Sequence, residues 1–336
     1  MSPAISEHEW LVTMTLARLV VRRILQSIPL LFGVITVNFL LIHAAPGDPS
    51  SMLLSKTATP EFAASVRAKF GLDKPLYMQY LYYMYQVLQG DLGFSLLRSE
   101  SVSHLILQRL PATLLLILTA MTIATSVGTL LGVIASRKPY SMRDNATTAI
   151  ATLGVSTPPF WLGELLLIVF AIYAGIFPIS GMVSIRAQLT GFQLALDVAR
   201  HLVLPAATLA LFYLAFITRI TRASMLEVLG EDYITTARSK GLTDRAVEQR
   251  HALRNALLPV VTYVGFTTGV LLGGAVLTET VFSWPGMGRL LFESLGLRDY
   301  PVLLGINIFV SAMVIIADLA VDILYGILDP RIRGGR

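Results

Sequence analysis

The chain has 336 residues, 54% hydrophobic and only 14% charged, with a mean hydropathy of +0.68. Soluble domains carry about 25% charged residues, so the deficit excludes an ordinary water-soluble fold and predicts an all-α polytopic membrane protein. The formal net charge of +5 calls for no nucleic acid, and the absence of cysteine excludes disulfides and thiolate metal sites.

In chain order, residues 1–23 are a polar start leading into LVTMTLARLVVRR, which reads as a cytoplasmic or interfacial amphipathic segment. The first span is expected at 24–45. Its apolar run is too long for a cleaved signal, and a cut after Ala45 would leave Pro46 beside the site, so it reads as an uncleaved anchor. The loop 46–110 is expected to fold on the outer, periplasmic side of the membrane. Pro75 opens a stretch in which Leu76, Tyr80, Met84, Val87 and Leu88 recur at helical spacing as far as Gly90. Its tyrosines suit the lipid headgroup layer or the underside of a docked protein, and a lid packed on the spans is the alternative.

Further spans are expected at 111–135, 149–178, 201–220, 257–282 and 301–326, six in all, with an outer loop at 283–300 and a tail at 327–336. Sixteen of the 26 Lys and Arg residues fall in the segments that share a side with both ends of the chain, and four in the two short opposite loops. Positive charge marks the cytoplasmic side, so both termini and the loop 222–256 are expected in the cytoplasm. Gly128 and Gly132, and Gly265, Gly269 and Gly273, repeat every four residues and predict close helix packing.

The loop 222–256 reads as helix, glycine, helix. Asp232 is placed as an N-cap, Tyr233, Ile234 and Ala237 share a face, Gly241 ends the helix, and Thr243 caps a second helix beginning at Asp244. Such an element between two spans suits transmission of force better than catalysis; the plainer reading is a positive loop that only fixes topology. No G-x-x-x-x-G-K-[ST], H-E-x-x-H or G-x-S-x-G sequence is present, so ATP-driven work would need a partner.

At DYITTARSKGL and HALRNALLP the chain resembles the dipeptide, oligopeptide and nickel branch of ATP-binding-cassette (ABC) importer permeases. In the wider family this loop carries an EAA-x-x-x-G motif. Here Thr235, Thr236 and Ala237 stand at the EAA positions before Gly241, and Ala256, Leu257, Leu258 and Pro259 at the Ile-x-Leu-Pro ending. PGDP, GLDKP, GDLGFS, LTETVFSWPGMG and AVDILYGILDPRIR extend the likeness over almost the whole chain.

The resemblance implies a type I importer permease fold and a place in a bacterial inner membrane. It implies no cofactor in this chain, with ATP and Mg bound by partners: two ABC ATPase subunits or a heterodimer of them. A second homologous permease subunit and an extracytoplasmic substrate-binding protein would complete the assembly. ATPase-coupling residues would be Glu231, Asp232, Tyr233, Thr235, Thr236, Ala237, Arg238, Lys240, Gly241, Leu242, His251, Asn255 and Pro259. Di- or oligopeptides are the expected cargo; nickel complexes, glutathione or another small solute remain open within the same family.

Two groups of residues near the span ends have competing readings. Glu279, with Phe282, Trp284 and Pro285, is either an outer gate or binding-protein contact or an interfacial acid. Arg219, Arg222, Asp318 and Asp322 are expected to form a structural charge cluster near the inner surface, against a substrate-coordinating pair of acids. The rival of a different class is an ion-coupled secondary transporter using Asp318, Asp322 and Glu279, though the chain lacks an evident inverted repeat.

Overall fold

The computed structural model describes residues 7–44, 74–184 and 189–328, so the expected segments 1–6, 45–73 and 329–336, with PGDP and most of the tail, lie outside the described residues. Helix α1, Glu7–Ala44, joins the expected interfacial segment and the first span into one helix. Helix α2, Leu76–Leu88, follows Pro75 and stops at Gln89 and Gly90, whose φ of +81° only glycine adopts without cost. Strands β1, Phe94–Ser95, and β2, Glu100–Ser101, pair antiparallel and lead into α3, Val102–Ser136.

Helix α3 begins nine residues before the expected Pro111. The Ser101 hydroxyl caps it by accepting from the His104 amide, and its first turns bury Val102, Leu105 and Ile106 against Met287, Leu290, Val302 and Ile306. That apolar packing offsets the hydrogen bond that Pro111 removes from the helix interior.

The segment expected at 149–178 is two helices. Helix α4, Met142–Ser156, and α5, Pro159–Leu166, which continues in π-helical turns over Leu167–Tyr173, meet at a 99° bend. Thr157 precedes Pro158 and is extended, with ψ of 121°, because the proline ring crowds the helical conformation of the residue before it. Helix α6, Gly191–Leu229, has 39 residues and is about 58 Å long. It overruns the expected 201–220 at both ends and carries its last turns past the span.

Helix α7, Asp232–Ser239, and α8, Asp244–Ala246, follow, then a π-helical segment Val247–Ala252 and α9, Leu253–Ala256. The expected span 257–282 is broken: α10, Leu258–Leu271, ends at a turn, and α11, Val276–Val281, starts anew. Gly274 makes the break, with φ of +99° and no room for a side chain, since a Cβ there would lie 2.1 Å from the Gly288 amide nitrogen. Helices α12, Met287–Leu297, and α13, Tyr300–Leu328, complete the chain.

Among the described residues four helices are long and apolar enough to cross a membrane, and the bent α4–α5 pair makes a fifth candidate. Helix α10, apolar and 14 residues long, is about 21 Å, short of the roughly 30 Å hydrocarbon core. The central core joins α3, α6 and α10 around Leu116, Ala120, Leu209, Ile217 and Val260. Both glycine series pack as expected. Gly128 and Gly132 face Ile217 and Thr221 on α6, and Gly265, Gly269 and Gly273 face Val321, Ala317 and Val310 on α13.

Candidate functional site

The charge-rich loop between α6 and α10 folds into a small domain of its own. Glu231 takes the N-cap position with an extended backbone, which moves Asp232 from the expected cap into the first turn, where its charge still complements the helix dipole. At the other end the Gly241 amide donates to the Arg238 carbonyl at 2.9 Å, with φ of +82°. The Thr243 hydroxyl then accepts from the Ala246 amide at 3.3 Å and starts α8.

Helix α7 has two sharply different faces. Ile234 and Ala237 are buried against Met225 of α6 and against Val247, Ala252 and Ala256 of the following segment, with Val133 of α3 alongside. Tyr233, expected on the same face, is instead exposed, and its hydroxyl accepts from Asn255 Nδ2 at 2.7 Å. Thr235, Thr236, Arg238, Lys240, Gly241 and Leu242 face outward, and Arg238 lies 3.5 Å from Asp244 in an exposed pair. His251 is half-buried in the π-helical segment, and Pro259 occupies the first turn of α10.

One ion pair fastens this domain to the end of α3, and a second, beside it, ties α6 to α4. Arg137, just past α3, makes a bidentate contact with Glu248 at 2.9–3.0 Å; that hydrogen bond first, and the carboxylate charge with it, hold the guanidinium pKa above its already high value. Arg222 on α6 clasps Asp144 on α4 through Nε and Nη2, the latter at 2.7 Å, and Asp144 is only 1% exposed. Asp144 also accepts from the Tyr140 amide at 2.8 Å.

The expected charge cluster therefore does not form. Helix α6 packs on α3 and α4, whereas α13 packs on α1 and α10, so the basic and acidic members never meet. Asp322 pairs with Arg23 of α1 at 2.7 Å, Arg222 with Asp144, and both Arg219 and Asp318 are exposed. Opposite charges do pair here, but with partners the sequence reading passed over. The available signal was Asp144, a lone acid in a stretch between two spans that otherwise carries Arg137, Lys138 and Arg143.

The second expected constellation is a packing node. Glu279 is fully buried, accepting from Thr113 Oγ1 at 2.9 Å and from the Arg289 amide at 2.9 Å. Trp284 is also fully buried and donates from Nε1 to the Ala112 carbonyl at 2.8 Å, while Phe282 lies against Leu204 and Ala171. Pro285 is half-buried in the turn between α11 and α12. No side chain of Glu279 or Trp284 is presented outward for a partner, because the turn before α12 folds back onto α3.

The arrangement thus defines a class: a polytopic helical membrane protein with a structured, charge-rich domain fixed by apolar packing, one ion pair and the chain itself to the ends of three of its helices. Residues 128–334 match the family described as binding-protein-dependent transport system inner membrane component, and residues 16–117 match its N-terminal counterpart. The chain belongs to that family and is an ABC importer permease. It is a multi-pass inner-membrane subunit that works with ATPase and other transporter subunits and has no ATPase site of its own.

The dipeptide transport system permease protein DppB of Escherichia coli (strain K12) is 44% identical over 332 residues, covering 94% of this chain and 98% of that one. The di/tripeptide transport system permease protein DppB of Pseudomonas aeruginosa (strain UCBPP-PA14) is 45% identical, covering 94% and 99%. The oligopeptide transport system permease protein AppB of Bacillus subtilis (strain 168) is 40% identical, covering 94% and 99%. A chain of the inward-facing MetNI methionine ABC transporter shares the fold, with a TM-score of 0.53 at 17% identity, covering 67% of this chain and 96% of that one.

Proposed function

We propose that this chain is one of two permease subunits of an importer for di- or oligopeptides, with both termini and the α7 domain in the cytoplasm, and that α7 is where its ATPases push. The observation that carries the mechanical part is the division of α7 into a buried face, Ile234 and Ala237, and an outward face of Thr235, Thr236, Arg238 and Lys240. A helix seated on α6 in this way passes a displacement on instead of absorbing it. ATP and Mg are bound by the two partner ATPase subunits, and a binding protein delivers cargo from the opposite side. The peptide assignment is supported by relatives at 40–45% identity named for dipeptide, di/tripeptide and oligopeptide transport.

In this mechanism, ATPase closure drags α7, and the α7 domain moves α6 and α10 so that the pathway opens to the binding protein; hydrolysis reverses the motion. Two measurements on the assembled importer in vesicles test it. A single cysteine at Thr235 should cross-link to an ATPase subunit, and labelled dipeptide should accumulate with ATP hydrolysis. Uptake of a nickel chelate or glutathione with no peptide uptake would overturn the cargo. Uptake by this chain alone, driven by an ion gradient, would overturn the importer mechanism in favour of the secondary-transporter rival.

A further inference from the structure

Helix α2 carries its polarity the wrong way round for a helix standing in water. Its two glutamines, Gln79 and Gln86, are half-buried, whereas every exposed side chain on it is Leu, Met or Tyr. Tyr77, Leu81, Tyr85 and Leu88 form one outward stripe, each 59–74% exposed. Residues 75–90 contain no charged side chain, and Lys74 and Asp91 bound them on either side. A helix that faces solvent turns its polar side outward, so this stripe is built for an apolar neighbour.

The opposite face of α2 fixes its depth. Tyr80 Oη and Thr36 Oγ1 of α1 are 2.8 Å apart, and the Tyr80 ring packs edge-on against Phe39 and Phe32, with centroids 5.2 and 6.2 Å away. His43 Nε2 lies 3.1 Å from Gln79 Oε1 further along α1. The apolar span of α1 runs from Val21 to Leu41. Thr36 is thus about 7.5 Å inside its end, within the roughly 5–10 Å to which interfacial helices sink. Beside α2, Val37, Leu40 and Leu41 of the same span are more than half exposed, so the stripe continues a surface that already belongs to the bilayer.

We infer that α2 lies immersed in the leaflet at the C-terminal end of α1, its stripe against phospholipid acyl chains and the hydroxyls of Tyr77, Tyr82 and Tyr85 at the headgroup level, rather than beneath a docked protein. It floats α1 at a fixed height, and α1 holds α13 through Asn38, whose side chain accepts from Asn307 Nδ2 at 2.6 Å and donates to the Leu304 carbonyl at 3.2 Å. The inference rests on α1 crossing the bilayer, and on neither the cargo nor the coupling mechanism.

The natural lack of cysteine makes the test direct. Single-cysteine variants Tyr77→Cys, Leu81→Cys and Tyr85→Cys of the assembled importer, in lipid nanodiscs that leave both faces open to reagent, are labelled with bimane, with Leu40→Cys as the lipid-facing reference and Tyr140→Cys as the water-facing one. Expected is a loss of fluorescence with shallow nitroxide-labelled lipid that matches Leu40→Cys, together with slow reaction toward a membrane-impermeant maleimide. Fast maleimide reaction without lipid quenching, as for Tyr140→Cys, would overturn the inference. So would slow reaction without quenching, which means that protein covers the stripe. Absence of quenching at Leu40→Cys as well would overturn the reading of α1 itself.

Discussion

Replacing Ile234 with alanine tests the proposed lever at its seat. Ile234 is fully buried among Met225, Ala237, Val247, Ala252 and Ala256, and α7 has only eight residues, well below the roughly 12–15 at which an isolated helix begins to hold together in water. Its position therefore depends on this packing. The substitution removes three carbons, about 2.4 kcal/mol at roughly 0.8 kcal/mol per buried group, before any cavity term, within the range of about 2–5 kcal/mol for such truncations. At about 1.4 kcal/mol per factor of ten, the seated state loses about 50-fold against the unseated one. In vesicles containing the whole importer, substrate imported per ATP hydrolysed should fall at least several-fold while insertion and subunit assembly persist, because Ile234 lies outside the spans. Ile234→Val, costing about 0.5–1.5 kcal/mol, should fall between. A wild-type import-to-hydrolysis ratio in a correctly assembled Ile234→Ala importer would refute the reasoning.

The remaining predictions concern packing and charge. Gly265→Ala places a Cβ 1.9 Å from Val321 Cγ2, an overpacking worth about 1–3 kcal/mol; melting temperature in detergent should drop, and Val321→Ala should restore it. Arg222→Gln leaves the buried Asp144 carboxylate unpaired and should destabilise by about 3–5 kcal/mol, whereas Arg137→Gln, acting on a guanidinium that is 52% exposed, should cost at most about 1 kcal/mol; equal losses in melting temperature would contradict the difference in burial. Glu293, on α12, has its pKa raised by burial but pulled below 4.5 on balance by hydrogen bonds from Arg98 and Arg289. A depressed carboxyl pKa stabilises the fold above its unfolded value and loses that contribution as the pH falls through the folded one, so stability should decline below about pH 4.5 and Glu293→Gln should flatten that decline; an unchanged slope would remove Glu293 from the account.

What the sequence made legible was whatever depends on local pattern. The α7 domain was readable because Gly241 and Thr243 punctuate it, and α2 because Pro75 and Gly90 frame a helical repeat. The glycine seams were readable because four-residue spacing puts each glycine on one face. Breaks inside apolar runs were not, since hydropathy averages over them: the 99° bend at Thr157 and Pro158 and the turn at Gly274 each sit within a stretch that reads as one span. Nor were tertiary partners. Glu279 near a span end looks like an exposed acid until Thr113, far away in the chain, is found to cover it, and Asp322 looks like a partner for Arg222 until helix order sets Arg23 beside it.

The two glycine seams and the α7 domain together suggest how one push could have a directed result. Gly128 and Gly132 bring α3 and α6 close, and Gly265, Gly269 and Gly273 do the same for α10 and α13, so each pair is a stiff unit with backbones in near contact. Met225 of α6 belongs to the α7 core, and Ala256 of the same core is followed after one residue by α10. The domain is therefore anchored in the first unit by packing and in the second by the chain itself. Force applied to the outward face of α7 cannot be absorbed by side-chain rearrangement, because Ile234 fills its pocket, and the compliance left lies at Gly241 and in the π-helical turns of Val247–Ala252. In the proposed mechanism, motion of α7 would then appear as displacement of α6 relative to α10 across the core that joins them, without unfolding either unit.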